Sequence, residues 1–240
     1  MALPLLLRAP LAVETCPRGY CRCGGDIDLA ATDRLLTTTR AVRKRLDLTR
    51  PVPTDLVLEC LRVAVQAPAG GNIQRWRWLL VDDPELKAGV ARLYARSYAP
   101  YMAEQRAAVA TSGREDADRI MASSDHLTEH LQDVPLLVIP CYLGRPDPSM
   151  AQGMLAGFYG SILPAVWSFM LAARARGLGT AWTTLHLGYE AEAGQLLGIP
   201  ETVSQVALIP TAFYTGETFQ PASRRPVEEI TYRNRWKQPV

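Results

Sequence analysis

Apolar and polar positions follow two periods along this chain, and the switches between them mark out its elements. From Thr54, the residues Val57, Leu58, Leu61 and Val65 recur on one helical face; Thr54 is placed to cap that helix, Asp55 suits its positive end, and Pro68 stops it. "WRWLLVD", 76 to 82, reads as a strand. Asp83, Pro84 and Glu85 open a second helix through "LKAGVARLYARSY", and a polar helical excursion continues to about Gln132. "VPLLVIPCY", 134 to 142, is an apolar run of strand length. "GLGTAWTTLHL" suits another strand, followed by a short helix from Tyr189 to Leu197 and a strand from Val203 to Tyr214. Upstream, "DRLLTTTRAVRK" from Asp33 is weakly helical and ends in a basic knot of Arg40, Arg43, Lys44 and Arg45. Helices outnumber strands and long helices separate the strands, so the class is α+β.

One stretch fits two solvents. Residues 148 to 173 carry no charge and are long enough to cross a bilayer as one helix. A helix apolar all round is equally a core or interface helix. Gln152, Ser149, Ser161, Ser168, Pro164 and the glycines Gly153, Gly157 and Gly160 stand against a bilayer span and favour the buried helix, and the glycine face would let another helix pack closely, which points to a subunit interface as readily as to lipid.

Composition narrows the class. At 240 residues and 48% apolar content the chain can bury a full core, and 26 basic against 24 acidic side chains give no stripe for nucleic acid or membrane. Cys16, Cys21 and Cys23 crowd an unpatterned segment, while Cys60 and Cys141 sit singly in apolar runs, which suits thiols in a reducing, cytoplasmic setting. The apolar run Ala2 to Leu7 is broken by Arg8 and Pro10, too short for an export signal. Residues 1–28 therefore read as a disordered extension, and 29–240 as one domain with 94–132 as an excursion able to form a lid.

Familiar catalytic motifs are missing. "GLGTAW", 177 to 182, has Trp182 where a dinucleotide fingerprint needs its third glycine, and it follows a helix; no P-loop or nucleophile elbow occurs. His126 and His130 in "HLTEH" lack the acid next to the first histidine, and three clustered cysteines lack a fourth ligand, so no metal site is assigned. His186 either approaches a site or is a hydrogen-bonded structural histidine. With so little side-chain chemistry on offer, an organic cofactor is the natural carrier of any reaction.

"PAGGNIQRW", 68 to 76, lays two glycines and two carboxamides between two buried elements: a tight turn, or a backbone that a flat or charged ligand can approach closely. Together with "TTRAVRKRL" at 38 to 46 and "GLGTAW…SRRPVEEI" from 177 to 230, it resembles the FMN-dependent nitroreductase family from about Asp33 to the C-terminus. The resemblance implies a nitroreductase-like fold, with a central, mostly antiparallel sheet flanked by helices and a long central helix at a dimer interface. It implies FMN at the subunit interface of a homodimer. Arg40, Arg43 and late Arg224 hold the phosphate, with Ala41 giving its main chain; guanidinium forks suit a dianion. Pro68, Ala69, Gly70, Asn72 and Gln74 form the flavin loop, and the main chain of Thr184 and Leu185 lies near flavin N5. Departures from the family pattern are Thr39, Ala41, Ala69, Arg75 and Thr184, and the two alanines remove hydroxyls that serine commonly supplies.

The activity implied is hydride transfer from NADH or NADPH through FMN to a nitroaromatic, quinone or related acceptor in a ping-pong cycle, with no catalytic acid or base assigned. Tyr94, Tyr98 and Tyr101 either line a lid over the acceptor or pack as an aromatic stripe. Alternatives on the same fold are a dehalogenase of aromatic amino acids or a flavin-degrading enzyme. A flavin-holding protein without turnover and a single-pass membrane protein are alternatives of other classes.

Overall fold

A single buried strand organises the core. Along β2 (Leu136–Leu143) the period of two sends Leu136, Val138 and Tyr142 to one face and Leu137, Ile139 and Cys141 to the other. Both faces are covered, which is why "VPLLVIPCY" is continuously apolar rather than alternating. The computed structural model describes residues 27–110, 117–147 and 149–240. Helices α2 (Thr54–Ala64) and α6 (Leu163–Ala175) cover the first face with Val57, Cys60, Val166 and Phe169. Helices α3 (Pro84–Ala110) and α4 (Ala117–His130) cover the second with Val90, Tyr94, Tyr98 and Leu127. Each such side chain contributes about 1.5–3 kcal/mol over its exposed state.

The sheet runs β1-β2-β5-β3, and β4 pairs with β2 beyond the end of β5; here β1 is Trp76–Val81, β3 Leu178–Thr180, β4 Val203–Gln205 and β5 Ile209–Phe213. Every ladder is antiparallel. The nitroreductase-like architecture expected from the sequence is therefore present. Two elements divide where the periodicity suggested one. The strand expected over 203–214 breaks because the register slips by one residue between Val138↔Ile209 and Cys141↔Gln205. The result is a bulge at 206–208. Pro140 lies opposite it, its carbonyl accepting from the Val206 N–H at 2.9 Å, so the missing proline N–H falls where the ladder is already interrupted.

The uncharged helix divides too, into α5 (Gln152–Gly160) and α6. Pro164 stands in the first turn of α6, where its ring cannot follow a continuous helix past the Gly160 carbonyl. At the other end of the chain, α1 (Leu29–Thr38) begins under an Asp28 cap, the Ala31 N–H donating to Asp28 Oδ1 at 3.0 Å. It stops before the basic knot instead of reaching it. Thr37 and Thr38 turn their hydroxyls back onto the carbonyls of Asp33 and Arg34, both at 2.6 Å, a pattern that weakens a helix. The cap assigned to Thr54 is also corrected: Pro53 occupies that position in extended conformation, and no side chain caps the helix. The strand expected over "GLGTAWTTLHL" regularises only at β3, and 185–189 coils into a 3-10 turn.

The chain divides into two compact units, residues 39–219 and residues 1–38 with 220–240. The larger holds the sheet and both faces of the core. In the smaller, the described parts are α1 and a C-terminal segment with a 3-10 turn at Val227–Ile230 and a bridge from Tyr232 to Pro239, over which Tyr232 meets Trp236 edge-on at 4.9 Å. Cys16, Cys21 and Cys23 and most of the expected N-terminal extension lie outside the described residues.

Candidate functional site

Past Thr39 the chain runs extended along the edge of β3. Ala41 forms a parallel bridge with Thr180, and the Val42 N–H donates to the Thr180 carbonyl at 2.8 Å. Val42 turns inward and is buried against Gly179, where a Cβ would lie 3.0 Å from Val42 Cγ1, so glycine permits this approach without a shift of its neighbour. With Val42 inward, its neighbour Arg43 leaves the core and lies half-buried beside Tyr94. Burial pushes the Tyr94 phenol up to about 12, with the Arg43 charge and the Thr183 hydroxyl acting against that rise. Among the described residues Arg43 forms no ion pair. Arg45 is structural: Nε and Nη1 donate to the carbonyls of Thr215 and Thr218 at 2.6 and 2.9 Å, and the guanidinium lies 4.1 Å from the centre of Phe219.

The glycine loop is a turn under strain. Gly70–Asn72 makes one 3-10 turn, the Asn72 N–H donating to Ala69 O at 2.9 Å. Gly71, Asn72 and Gln74 all adopt left-handed backbone, with φ of 58, 53 and 54°. Glycine does this freely and asparagine fairly readily, but for glutamine the conformation is uncommon and costs about 1 kcal/mol or more. The Gln74 carboxamide donates to Asn72 Oδ1 at 3.0 Å, so the two side chains brace each other. The loop is exposed except at Ala69, which packs on the core. It is fastened through Gly70, whose N–H donates to Ser161 Oγ at 3.0 Å.

The third piece follows β3. Thr183 and Leu208 exchange main-chain hydrogen bonds at 3.0 and 2.8 Å, and the Thr183 hydroxyl adds a third at 2.9 Å. This pinned point presents Thr184, exposed, and Leu185, half-buried. His186 next to them is fully buried, and among the described residues neither ring nitrogen has a hydrogen-bond partner. The expectation of a hydrogen-bonded structural histidine is thus not met: the ring is packed as a neutral group, and burial pushes it down to about 4.

Within the larger unit, Arg43, Tyr94, Thr183 and the Ala41 main chain converge at one end of β3. The loop 68–74 is tied elsewhere, to the break between α5 and α6. Arg40 is half-buried at the start of the same extended segment. Arg224 belongs to the smaller unit, where it is exposed and donates to the Ser223 carbonyl at 3.0 Å. Sequence reasoning missed Ser161 and the packing of Val42 on Gly179. A lone serine between Gly160 and Pro164 was the available signal for the first; the second pairs residues far apart in the chain. Of the tyrosines, Tyr94 and Tyr98 are packed in the core 6.2 Å apart and Tyr101 is exposed. His126, Glu129 and His130 bring ligand-type atoms within 4.8 Å of one another, with His130 Nδ1 held 3.2 Å from Asp133 Oδ2. Burial and the neighbouring charges of His130 and Lys44 hold His126 below the usual histidine range.

Helix α5 contains no buried residue, and Met154 is 63% exposed. Tyr159 and Trp167 are also exposed, and a Cβ at Gly153, Gly157 or Gly160 would touch nothing within 4 Å. By length and composition the span Gln152–Ala175 could cross a membrane. The break at Ser161 and the burial of Val166, Phe169 and Met170 against the sheet make its second half a core helix.

The model of the Nitroreductase family matches residues 36–212. A protein of Thermus thermophilus named NADH dehydrogenase is 25% identical over 84% of this chain and 98% of its own. The iodotyrosine dehalogenase 1 homolog of Caenorhabditis elegans is 26% identical over 76% of this chain and 55% of its own. Among solved structures, an oxidised iodotyrosine deiodinase bound to FMN and 3-iodo-L-tyrosine superposes with a TM-score of 0.60 at 21% identity, over 84% of this chain and 97% of that one. That likeness is one of fold.

Proposed function

Because the chain belongs to the nitroreductase family, we propose that it is an FMN-dependent oxidoreductase that takes hydride from NADH or NADPH and passes it to a nitroaromatic, quinone or related acceptor. The observation that carries this reading is the braced, left-handed loop at 70–74. Backbone strain in an exposed segment persists only where its surroundings enforce it, and it gathers at ligand clamps. The residues fit the cofactor. Asn72 and Gln74 offer carboxamides, the glycines let main-chain N–H groups approach a flat ring, and Arg43 is a half-buried cation that forms no ion pair among the described residues. Arg40 and Arg43 are assigned to the terminal phosphate, Ala41 to it through its main chain, and Pro68, Ala69, Gly70 and Asn72 to the ring and ribityl chain, with Gln74 shaping the loop. Thr184 and Leu185 face the reactive edge through their main chain.

When bound, FMN would supply the redox chemistry that the chain's own side chains lack. The chain's own part is to fix the ring's position, exclude water and leave one face open for two substrates in turn. The exposed apolar surface of α5 and the start of α6 is assigned to a second copy of the chain, so that each loop serves its partner's flavin. Such a dimer accounts for the uncharged span without a membrane. Cys60 and Cys141, both free and buried, suit the reducing cytoplasm.

A second reading, reductive dehalogenation of a halotyrosine at the same site, is favoured by the iodotyrosine relatives. Anaerobic rapid mixing separates the two. NADH or NADPH is expected to bleach the bound flavin, and a nitroaromatic or quinone to restore its colour. Restoration by 3-iodo-L-tyrosine alone would favour the second reading, and failure of both nucleotides to bleach the flavin would overturn the first.

A further inference from the structure

Ser161 is placed where α5 gives way to α6. Its N–H donates to the carbonyls of Gly157 and Phe158 at 3.1 and 3.3 Å, closing the end of α5. Its hydroxyl has one proton and spare lone pairs. The proton goes to the Gly157 carbonyl at 2.6 Å, and a lone pair accepts the Gly70 N–H at 3.0 Å. The residue is 4% exposed, so solvent has little access to either bond. Among the described residues, no other hydrogen bond joins 68–74 to the rest of the unit; the remaining ones are internal to the loop or its flanks. Gly70 is matched to this contact, since a Cβ there would lie 3.0 Å from Ser161 Oγ.

We infer that Ser161 is a positioning residue that holds the 68–74 loop in its ligand-ready conformation and ties it to the helices that meet the partner subunit. The inference rests on the FMN reading above. A loop already fixed before the cofactor arrives gives up less conformational freedom on binding, so the cofactor binds more tightly. Ala69 has no hydroxyl with which to brace the loop, and Ser161 supplies one from outside it.

The test measures FMN affinity by quenching of flavin fluorescence, the position of the flavin absorption bands, and amide hydrogen exchange of residues 70–74 in flavin-free protein. Sedimentation follows the oligomeric state. Ser161→Ala is expected to weaken FMN binding about three- to tenfold, the worth of one neutral hydrogen bond, to shift the bands and to speed exchange in the loop, with the oligomeric state unchanged. Ser161→Thr, which keeps the hydroxyl, is expected to restore all three. Gly70→Ala should weaken binding in the parent but much less in the Ser161→Ala background, because the atom it crowds is gone. Wild-type affinity and loop exchange in Ser161→Ala would overturn the inference, as would an affinity loss that tracks dissociation of the subunits. Parent protein that binds no FMN but whose loop exchange quickens in Ser161→Ala would overturn the flavin reading while leaving the Ser161 anchor standing.

Discussion

Gly179→Ala is the most searching perturbation of the phosphate-side segment, because the added Cβ presses directly on two buried side chains of that segment. A Cβ at 179 would sit 3.0 Å from Val42 Cγ1, 3.1 Å from Val42 Cβ and 3.2 Å from Leu46 Cδ2. Carbon atoms prefer separations of about 3.5–4.0 Å, so 41–46 must move by some tenths of an ångström. Two effects oppose. Replacing glycine inside a strand gains about 0.5–1 kcal/mol of backbone entropy, whereas overpacking a filled core costs about 1–3 kcal/mol. Both crowded side chains are buried, Val42 at 3% and Leu46 at 6% exposed, so crowding wins and a net loss of about 1–2 kcal/mol is expected. The same shift displaces Arg43, so FMN affinity falls with stability. Urea unfolding and FMN titration measure the two losses. Val42→Ala removes the nearest methyl groups; alone it costs about 2 kcal/mol, but added to Gly179→Ala it should cost less than half of that. Unchanged stability and affinity in Gly179→Ala, or strict additivity in the double variant, would refute the reasoning.

Three further outcomes are expected. His186 is held down to about 4 against an ordinary value near 6.5, so the unfolded chain binds a proton in that interval that the native protein does not. Stability contributed by the neutral ring is complete above about pH 6.5 and lost as pH falls to about 4, at up to about 1.4 kcal/mol per pH unit; His186→Leu should flatten this part of a denaturation-versus-pH curve. Met154→Asp with Trp167→Glu places charges on exposed protomer surface, so circular dichroism should be unaltered while sedimentation shows monomers and FMN is lost. Arg43→Ala should weaken FMN binding by about tenfold or more by removing a charge-assisted contact, whereas Arg50→Ala should only lower stability slightly, since Arg50 lies 3.4 Å over the Phe213 ring; equal losses of FMN affinity would count against the phosphate assignment.

What the sequence disclosed follows from which interactions are local. The β1 and β2 runs and the helix starting at Thr54 depend on period and on near neighbours, and they appear where the pattern puts them. Within α2 the expected face is corrected: Val57, Cys60 and Ala64 are buried, Leu58 is exposed, and the helix ends at Ala64, before Pro68 is reached. The three motif segments were legible as short strings. The breaks were not. Division of the uncharged span at Ser161 follows from Pro164 together with a hydrogen bond to Gly70, ninety-odd positions away in the chain. The one-residue slip at 206–208 is a property of pairing with β2, invisible in either strand alone. Burial of His186 and the fit of Val42 on Gly179 likewise arise only when distant segments meet. The loop's left-handed glutamine is the clearest case, since local preference argues against it and its brace, the Asn72 carboxamide, becomes visible only in three dimensions.

The central claim is that this chain holds FMN between guanidinium groups and the 68–74 loop, and denaturation of the purified protein tests it most directly. The account predicts yellow protein that releases about one FMN per chain, identified by its chromatographic mobility. Colourless protein that takes up no FMN on titration, or release of FAD in its place, would contradict it.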